Sequence, residues 1–323
     1  MTDALYRDRA AEELPRFRIR ESRDRRALDA LMSEDRAYAV YALGHLERGL
    51  FERSHFWVAE GSYGAGMVVH ATAMGSTMFV AGAPVAVDAI LSLHPGPRAG
   101  YLTTAAPEHL PVLQRSHRVV DVLHMQRMSV TRAGFLPATT TARRLRGSDV
   151  RELNALYALD GAPSYYTASH LENGVYFGAY DGGRLVSVAG THIVAPNMAV
   201  GVVGNVFTHP AHRGRGLATA VTSRVTAALL DGGCALVALT VDPANTPAVR
   251  AYRRLGYEPG AAVVEARLRR RAPLGLGAWL RRRAARSGQR GRMGEVEEQA
   301  PGRPLQSTTD DGGFGGRDEG AHA

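Results

Sequence analysis

Two rhythms alternate along residues 17 to about 268. Apolar positions recur at three- and four-residue spacing over Asp24–Ser33 and Ala37–Leu50, with Leu28, Leu31, Ala39, Leu43 and Leu46 in step, which predicts two helices. Short apolar runs at Phe56–Glu60, Met67–Ala73 and Met78–Ala83 predict strands. Pro84 opens a helix to Leu93, a place where proline's missing N–H costs nothing. Tyr101–Thr104 and His124–Val130 predict further strands, with a short helix from Pro107 between them.

The rhythm repeats after residue 140. Asp149-x-x-Glu152 caps a helix running to Leu159. Gly174–Tyr180 and Leu185–Val194 read as strands joined by the tight turn Asp181-Gly182-Gly183. Ala199–Thr208 is a third strand. Gly216–Leu230 is an amphipathic helix carrying Leu217, Val221, Val225, Ala228 and Leu229 on one face. Ala235–Val241 is a continuous apolar run, as a buried parallel strand requires. Thr246–Leu255 is a helix and Ala261–Leu268 a last strand. Both halves follow one order, the pattern of a distant duplication in an α/β protein with mixed sheets. The expected division is a flexible start (1–16), one domain over 17–140, a second over 141–268 and a disordered tail (269–323).

Composition changes this picture in a few places. The chain has 323 residues, one cysteine and a net charge of +8. Cys234 alone excludes a disulfide framework and argues against a cysteine-built metal site, so no metal is expected. The charged N-terminus has no apolar leader core, and Met67–Leu93 is interrupted by His70, Ser76, Pro84 and Asp88. The cytoplasm is the expected location. There is no lysine, and ten arginines crowd residues 267–292 without one acid. Without that stretch the globular part is nearly neutral, so the basic pI does not by itself mark a nucleic-acid protein. A surface role for 267–292 toward anionic lipid or nucleic acid stays a minor alternative. Leu274–Ala285, with Trp279, reads as a short amphipathic helix within that tail.

The chemistry concentrates in Asn205-Val-Phe-Thr-His-Pro-Ala-His-Arg-Gly-Arg-Gly-Leu-Ala218. A strand ends, an Arg/Gly loop follows, and a helix starts near Gly216. Unpaired N–H groups converge at such a helix end, the helix dipole adds partial positive charge, and glycines admit an anion to the backbone. Arg213 and Arg215 add full charge. The arrangement suits a phosphate or pyrophosphate. A dinucleotide fingerprint fails because Thr219 stands where a third glycine is needed, and a Walker loop fails for want of lysine.

Arg213-x-x-Gly216-x-Ala218 after a strand resembles the acyl-CoA pyrophosphate loop of the GCN5-related N-acetyltransferase (GNAT) superfamily. Asn245-x-x-Ala248-x-x-x-Tyr252-x-x-x-Gly256-Tyr257, after the apolar strand, is similar to that superfamily's second signature. Ala248 and Tyr252 lie four apart on one helical face. The motifs cover 201–257. The resemblance implies an acyl-CoA N-acyltransferase fold in the C-terminal domain and a degenerate GNAT-like N-terminal domain lacking the loop. It implies acetyl-CoA as co-substrate, with pantetheine along Val206, Phe207, Thr208 and His209 and pyrophosphate on Arg213, Gly214, Arg215, Gly216, Leu217 and Ala218. Tyr252 would protonate the leaving thiolate, and Asn245 would anchor pantetheine or the strand end.

The resemblance also exposes a gap. Members acting on protein N-termini often carry glutamate where Thr240 stands, and many members carry one midway along the earlier strand, where Gly204 and Asn205 stand. No base is evident; His209, Glu172 and Asp242 are candidates, as is a water chain. Tyr165, Tyr166 and Glu172 are candidate acceptor-site residues. The implied activity is acetyl transfer to a primary amine of a small molecule or peptide. The alternative is a non-catalytic acetyl-CoA-binding sensor. Oligomeric state and the acceptor have no sequence signature.

Overall fold

The computed structural model describes residues 17–271, apart from 74, 140 and 161–165. The predicted flexible start and most of the predicted tail, with the 274–285 segment, lie outside the described residues. No described helix is long and apolar enough to cross a membrane.

In chain order the first half runs β1 (Phe17–Ser22), α1 (Arg25–Leu31), α2 (Val40–Gly44), β2 (Ser54–Gly61), β3 (Gly64–Ala71), β4 (Thr77–Gly82), α3 (Pro84–Leu93), β5 (Ala99–Ala105), α4 (Leu110–Ser116) and β6 (His117–Thr131). The second half runs β7 (Arg143–Arg144), α5 (Val150–Tyr157), α6 (Ala168–Asn173), β8 (Phe177–Asp181), β9 (Arg184–Ala195), β10 (Val200–Thr208), α7 (Leu217–Asp231), β11 (Leu236–Val241), α8 (Thr246–Arg254) and β12 (Glu258–Arg270). The predicted strands and principal helices recur here, with β1, β7 and α6 added. The predicted helix over Ala37–Leu50 shortens to Val40–Gly44 within a run of turns.

Two compact units form, each from separate stretches of chain. The first takes residues 17–31, 49–122 and 264–271. Its strands follow the order β1-β2-β3-β4-β5-β12. The β1 to β4 pairs are antiparallel, β4 and β5 run parallel, and Val264–Arg269 of β12 pair antiparallel with β5. Helix α3 packs Ala86, Val87, Ile90 and Leu91 into a core with Val68, Val80, Leu102 and Val264. The link from β4 to α3 is closed: Ala83 N–H donates to Ala65 O at 2.8 Å, and Pro84 supplies no N–H.

The second unit takes residues 32–48 and 123–263. Its order is β6-β11-β10-β9-β8-β7. Only β10 and β11 are parallel. The β8–β9 hairpin turns on Gly182 (φ +55°) and Gly183 (φ +75°), the left-handed pair that a type I′ turn requires. Side-chain alternation gives this sheet two apolar faces. Phe177, Val203, Val206, Val237, Leu239 and Val241 pack with α7 and α8. Leu185, Val188 and Phe207 pack with Leu153, Leu156 and Tyr157 of α5 and Leu171 of α6. Helix α7 also buries Thr226, whose hydroxyl lies 2.7 Å from the Tyr257 hydroxyl.

Candidate functional site

Strands β10 and β11 hold together for three rungs only: Val200–Leu236, Gly201–Val237 and Val202–Ala238. Beyond Val202 they part, while β10 stays bonded to β9 through Phe207–Val188 and Thr208–Ser187. The edge of β10 that faces the split therefore carries backbone polar groups that a bound extended chain can use. Two register shifts bend β10 here, and Asn205 sits at φ +55° in the second.

A cleft of about 270 Å³ opens at this split. It is walled by Val206, Phe207 and Thr208 of β10, by residues of the loop into α7, by Leu217–Thr219, and by the α8 face of Pro247, Ala248, Ala251 and Tyr252. Helix α7 begins at Leu217, so the N–H groups of Leu217, Ala218 and Thr219 have no partner within the helix. Gly214 and Gly216 both have positive φ (+76° and +75°). A Cβ at either would meet nothing within 4 Å. Backbone conformation, not crowding, thus calls for glycine, and the space beside it is open to a ligand. Among the described residues, the wall contains Arg213, Arg250 and Arg254 and no carboxylate.

The predicted residues divide by position. Arg213 and Gly214 line the cleft with Gly216, Leu217, Ala218 and Tyr252. Arg213 is held by its Nε–H to Thr208 O at 3.3 Å. Arg215 turns outward to Asp181 at 2.9 Å, and His212 Nε2 approaches the same carboxylate at 3.3 Å. That carboxylate is held below its usual range, mainly by the Arg215 hydrogen bond. His212 lines the cleft with a buried Nδ1 that has no hydrogen-bond partner. His209 Nδ1 accepts from Ala211 N–H at 3.1 Å and so caps the short turn that follows. Asn245 caps α8, its Oδ1 accepting from Ala248 N–H at 3.1 Å.

Tyr252 is buried in the cleft wall, and burial raises the phenol's pKa. It stays protonated across the physiological range. Burial likewise raises the Cys234 thiol, which makes it a poor nucleophile.

Of the remaining candidates, Tyr165 lies outside the described residues. Tyr166 stacks on Tyr157 at 5.1 Å, and Asn154 ties its backbone at both N–H and C=O. Glu172 is exposed and accepts from Gly147 N–H at 2.7 Å, bracing the entry to α5. Asp242 accepts from Ala244 N–H at 2.8 Å in the turn before α8.

A second cluster went unread in the sequence. His192 of β9 places Nδ1 2.7 Å from the Tyr41 hydroxyl and Nε2 3.1 Å from Asn205 Oδ1. Tyr157 donates to Asn205 O at 2.5 Å, and burial pushes the neighbouring Tyr176 phenol up to about 12. Arg127, fully buried on β6, donates to the Thr240 hydroxyl and lays its guanidinium 4.9 Å from the Tyr41 ring centre. Tyr41 comes from residues 32–48, far from either motif, so no spacing rule reaches it. Arg250 and Arg254, one helical turn apart, were within reach of such a rule.

A parallel strand pair thus splits beside a glycine-opened helix end. The model of the acetyltransferase (GNAT) family matches residues 147–257. This segment is a GNAT domain. It contains the split, the loop, α7 and α8. Mycothiol acetyltransferase of Corynebacterium jeikeium is 48% identical over 46 residues, 14% of this chain. The match takes in 13% of that relative's length. A GCN5-related N-acetyltransferase from Kribbella flavida has the same fold over 75% of this chain and 98% of its own, at 22% identity and a TM-score of 0.50. That share exceeds the GNAT segment itself. An acetyltransferase from Novosphingobium aromaticivorans aligns at 26% identity over 64% of this chain and 89% of its own, with a TM-score of 0.48. GNAT domains carry out acyl transfer, with acetyl-CoA as the general co-substrate and small-molecule or peptide amines as acceptors.

Proposed function

We propose that this protein transfers the acetyl group of acetyl-CoA to a primary amine by direct attack of the amine on the thioester. The observation that carries the reading is the cleft at the β10–β11 split. It offers three helix-end N–H groups, two left-handed glycines and three arginines, with no carboxylate among the described residues of its walls.

The N–H groups of Gly214–Ala218 suit the diphosphate of coenzyme A, with Arg213 and the orphaned His212 nitrogen beside them. Arg250 and Arg254 add positive charge along the same wall. Each helix-end contact to an anion contributes about 0.3–1 kcal/mol, so affinity comes from several acting together. The open edge of Val206–Thr208 suits the amides of pantetheine, which would lie there as an added strand. The thioester then reaches the split.

The attacking amine must be neutral, and its proton must leave as the C–N bond forms. At the other end of the reaction the C–S bond breaks, and Tyr252 donates a hydrogen bond and then a proton to the sulfur. The phenol is a weak acid in this setting, so its contribution begins as a hydrogen bond to developing negative charge.

Calorimetry with coenzyme A on the full chain tests binding, and release of free thiol from acetyl-CoA with a panel of primary amines tests transfer. Micromolar binding together with amine-dependent thiol release is expected. No heat with coenzyme A would sink the reading. Binding without thiol release for any amine would favour a non-catalytic sensor.

A further inference from the structure

Among the described residues, none that lines the cleft is a carboxylate able to take the amine's proton, and Thr240 and Gly204 face each other across the split. Resting on the acetyltransferase reading, we propose that Tyr41 is the proton acceptor for the attacking amine, with His192 behind it as the group that holds the proton.

The geometry builds outward from the last parallel rung, Val202–Ala238. Val203 of β10 and Leu239 of β11 face the core that contains α7 and α8. Alternation turns Gly204 and Thr240, the neighbours across the opening, to the other face. Each is covered by a side chain from an adjacent strand. A Cβ on Gly204 would lie 2.3 Å from His192 Nε2, so the imidazole lies directly over that glycine. Arg127, the cross-strand partner of Thr240, donates to its hydroxyl. Tyr41 joins the two walls, with its ring under the Arg127 guanidinium and its hydroxyl 2.7 Å from His192 Nδ1. The opening between the strands is thus bridged, on the face away from α7, by a phenol hydrogen-bonded to an imidazole.

The bonding fixes the proton positions. His192 Nε2 faces the carbonyl-type oxygen Asn205 Oδ1, so Nε2 carries the hydrogen. Nδ1 is then the acceptor, and the Tyr41 O–H donates to it. Asn205 is itself held by Tyr157 on its backbone oxygen. The charged or titratable groups facing His192 are Arg127 from β6, Tyr41 from the 32–48 stretch and, through Asn205, Tyr176. Burial foremost, and the Arg127 charge as well, keep His192 neutral and ready to accept at neutral pH.

The amine nitrogen bonds to the thioester carbon and the carbonyl pair moves to oxygen, which makes the nitrogen's proton strongly acidic. That proton passes to the Tyr41 oxygen while the phenol proton passes to His192 Nδ1. The tetrahedral centre collapses, the C–S bond breaks with its electron pair on sulfur, and the sulfur takes a proton from Tyr252. The His192 proton returns through Tyr41 to solvent, from which Tyr252 is reprotonated. The net change is amine plus thioester to amide plus thiol. Tyr41 touches the reacting atom; His192 acts through it.

Nitrogen NMR on the full chain with 15N-labelled histidine, together with kinetics, decides the matter. His192 should appear as the Nε2–H tautomer, titrating below the ordinary imidazole value, and Tyr41→Phe should shift its Nδ1 resonance. In thiol-release assays with ethanolamine, benzylamine, glycinamide and a tripeptide as acceptors, His192→Gln and Tyr41→Phe should each lower kcat about 100-fold. Coenzyme A affinity, measured by calorimetry, should stay within about twofold, which excludes misfolding. The double variant should be no slower than the slower single one, and the acid-side inflection of kcat against pH should vanish in His192→Gln. An Nδ1–H tautomer, an ordinary titration, or multiplying effects with an unchanged pH profile would overturn the relay alone. Absence of thiol release by the unaltered protein would overturn the acetyltransferase reading with it.

Discussion

At the residue scale, Tyr252 and Gly216 are asked for different things. Tyr252 is buried on the cleft wall and cannot ionise in the physiological range. Tyr252→Phe keeps the ring and loses the donor. The expected result is a 10- to 100-fold fall in kcat, of the size general acid catalysis contributes, with coenzyme A affinity unchanged. A wild-type kcat would remove Tyr252 from the mechanism. Gly216 is asked for its backbone. At φ +75° an alanine is strained by about 1–2 kcal/mol, and relief moves the first N–H groups of α7. Gly216→Ala should weaken coenzyme A binding at least tenfold by calorimetry, with only a small drop in melting temperature. Both residues were legible in the sequence because motif spacing places them. Tyr41, Arg127 and His192 were not: each is an ordinary residue until two distant strands and a short helix bring them together. Asn205 stood in the sequence as a missing glutamate; its role as the hydrogen-bond partner of an imidazole needed coordinates.

At the scale of elements, α2 shows how little length a helix needs when packing holds it. Its five residues are all buried, and a Cβ on Gly44 would lie 2.4 Å from Ile193 Cγ2 of β9. The β-branched isoleucine has little freedom to withdraw. Gly44→Ala should therefore cost about 1–3 kcal/mol in urea unfolding and displace Tyr41. An unchanged midpoint would show that this contact gives way freely. Helical period alone extended this element to Leu50, because apolar spacing records which residues are buried, not whether the turns between them close. His45 at its end is buried, with Nδ1 unpartnered, and burial pulls its pKa down to about 4. The unfolded chain titrates near 6.5, so it binds more protons than the folded one between those values. Stability is fully present above about pH 6.5 and declines as pH falls toward 4, by an amount on the order of 3 kcal/mol for this residue. His117 behaves alike, burial pulling it down to about 4 in the other unit. His45→Leu should flatten part of the slope of melting temperature against pH; a slope identical to that of the unaltered protein would exclude His45 as a source.

At the scale of the molecule, neither unit is a continuous stretch of chain. The duplication-like order of elements was readable from periodicity. The assignment of 32–48 and 123–131 to the unit holding the GNAT segment was not, because an apolar strand carries no label for its neighbour. β11 has β6 alongside it from Thr131 to Gln126, and α2 covers β9 and β10. A fragment of residues 141–271 keeps both motifs yet lacks those pieces. It should fail to give a cooperative melt and should not bind coenzyme A; a folded, binding fragment would show that the borrowed pieces are dispensable. In the first unit the link from β4 to α3 offers an anion little, since Ala83 N–H is spent on Ala65 O and Pro84 has none to offer.

The pairing of β5 with Val264–Arg269 also sets an order of events during synthesis. At about 5–20 residues per second, a ribosome makes β5 many seconds before the strand that completes its sheet. The half that emerges first must wait with an open strand edge until Val264–Arg269 are made, while the later half closes on β6, which is already present. A nascent chain arrested before residue 264 should thus be bound by chaperones through its early half.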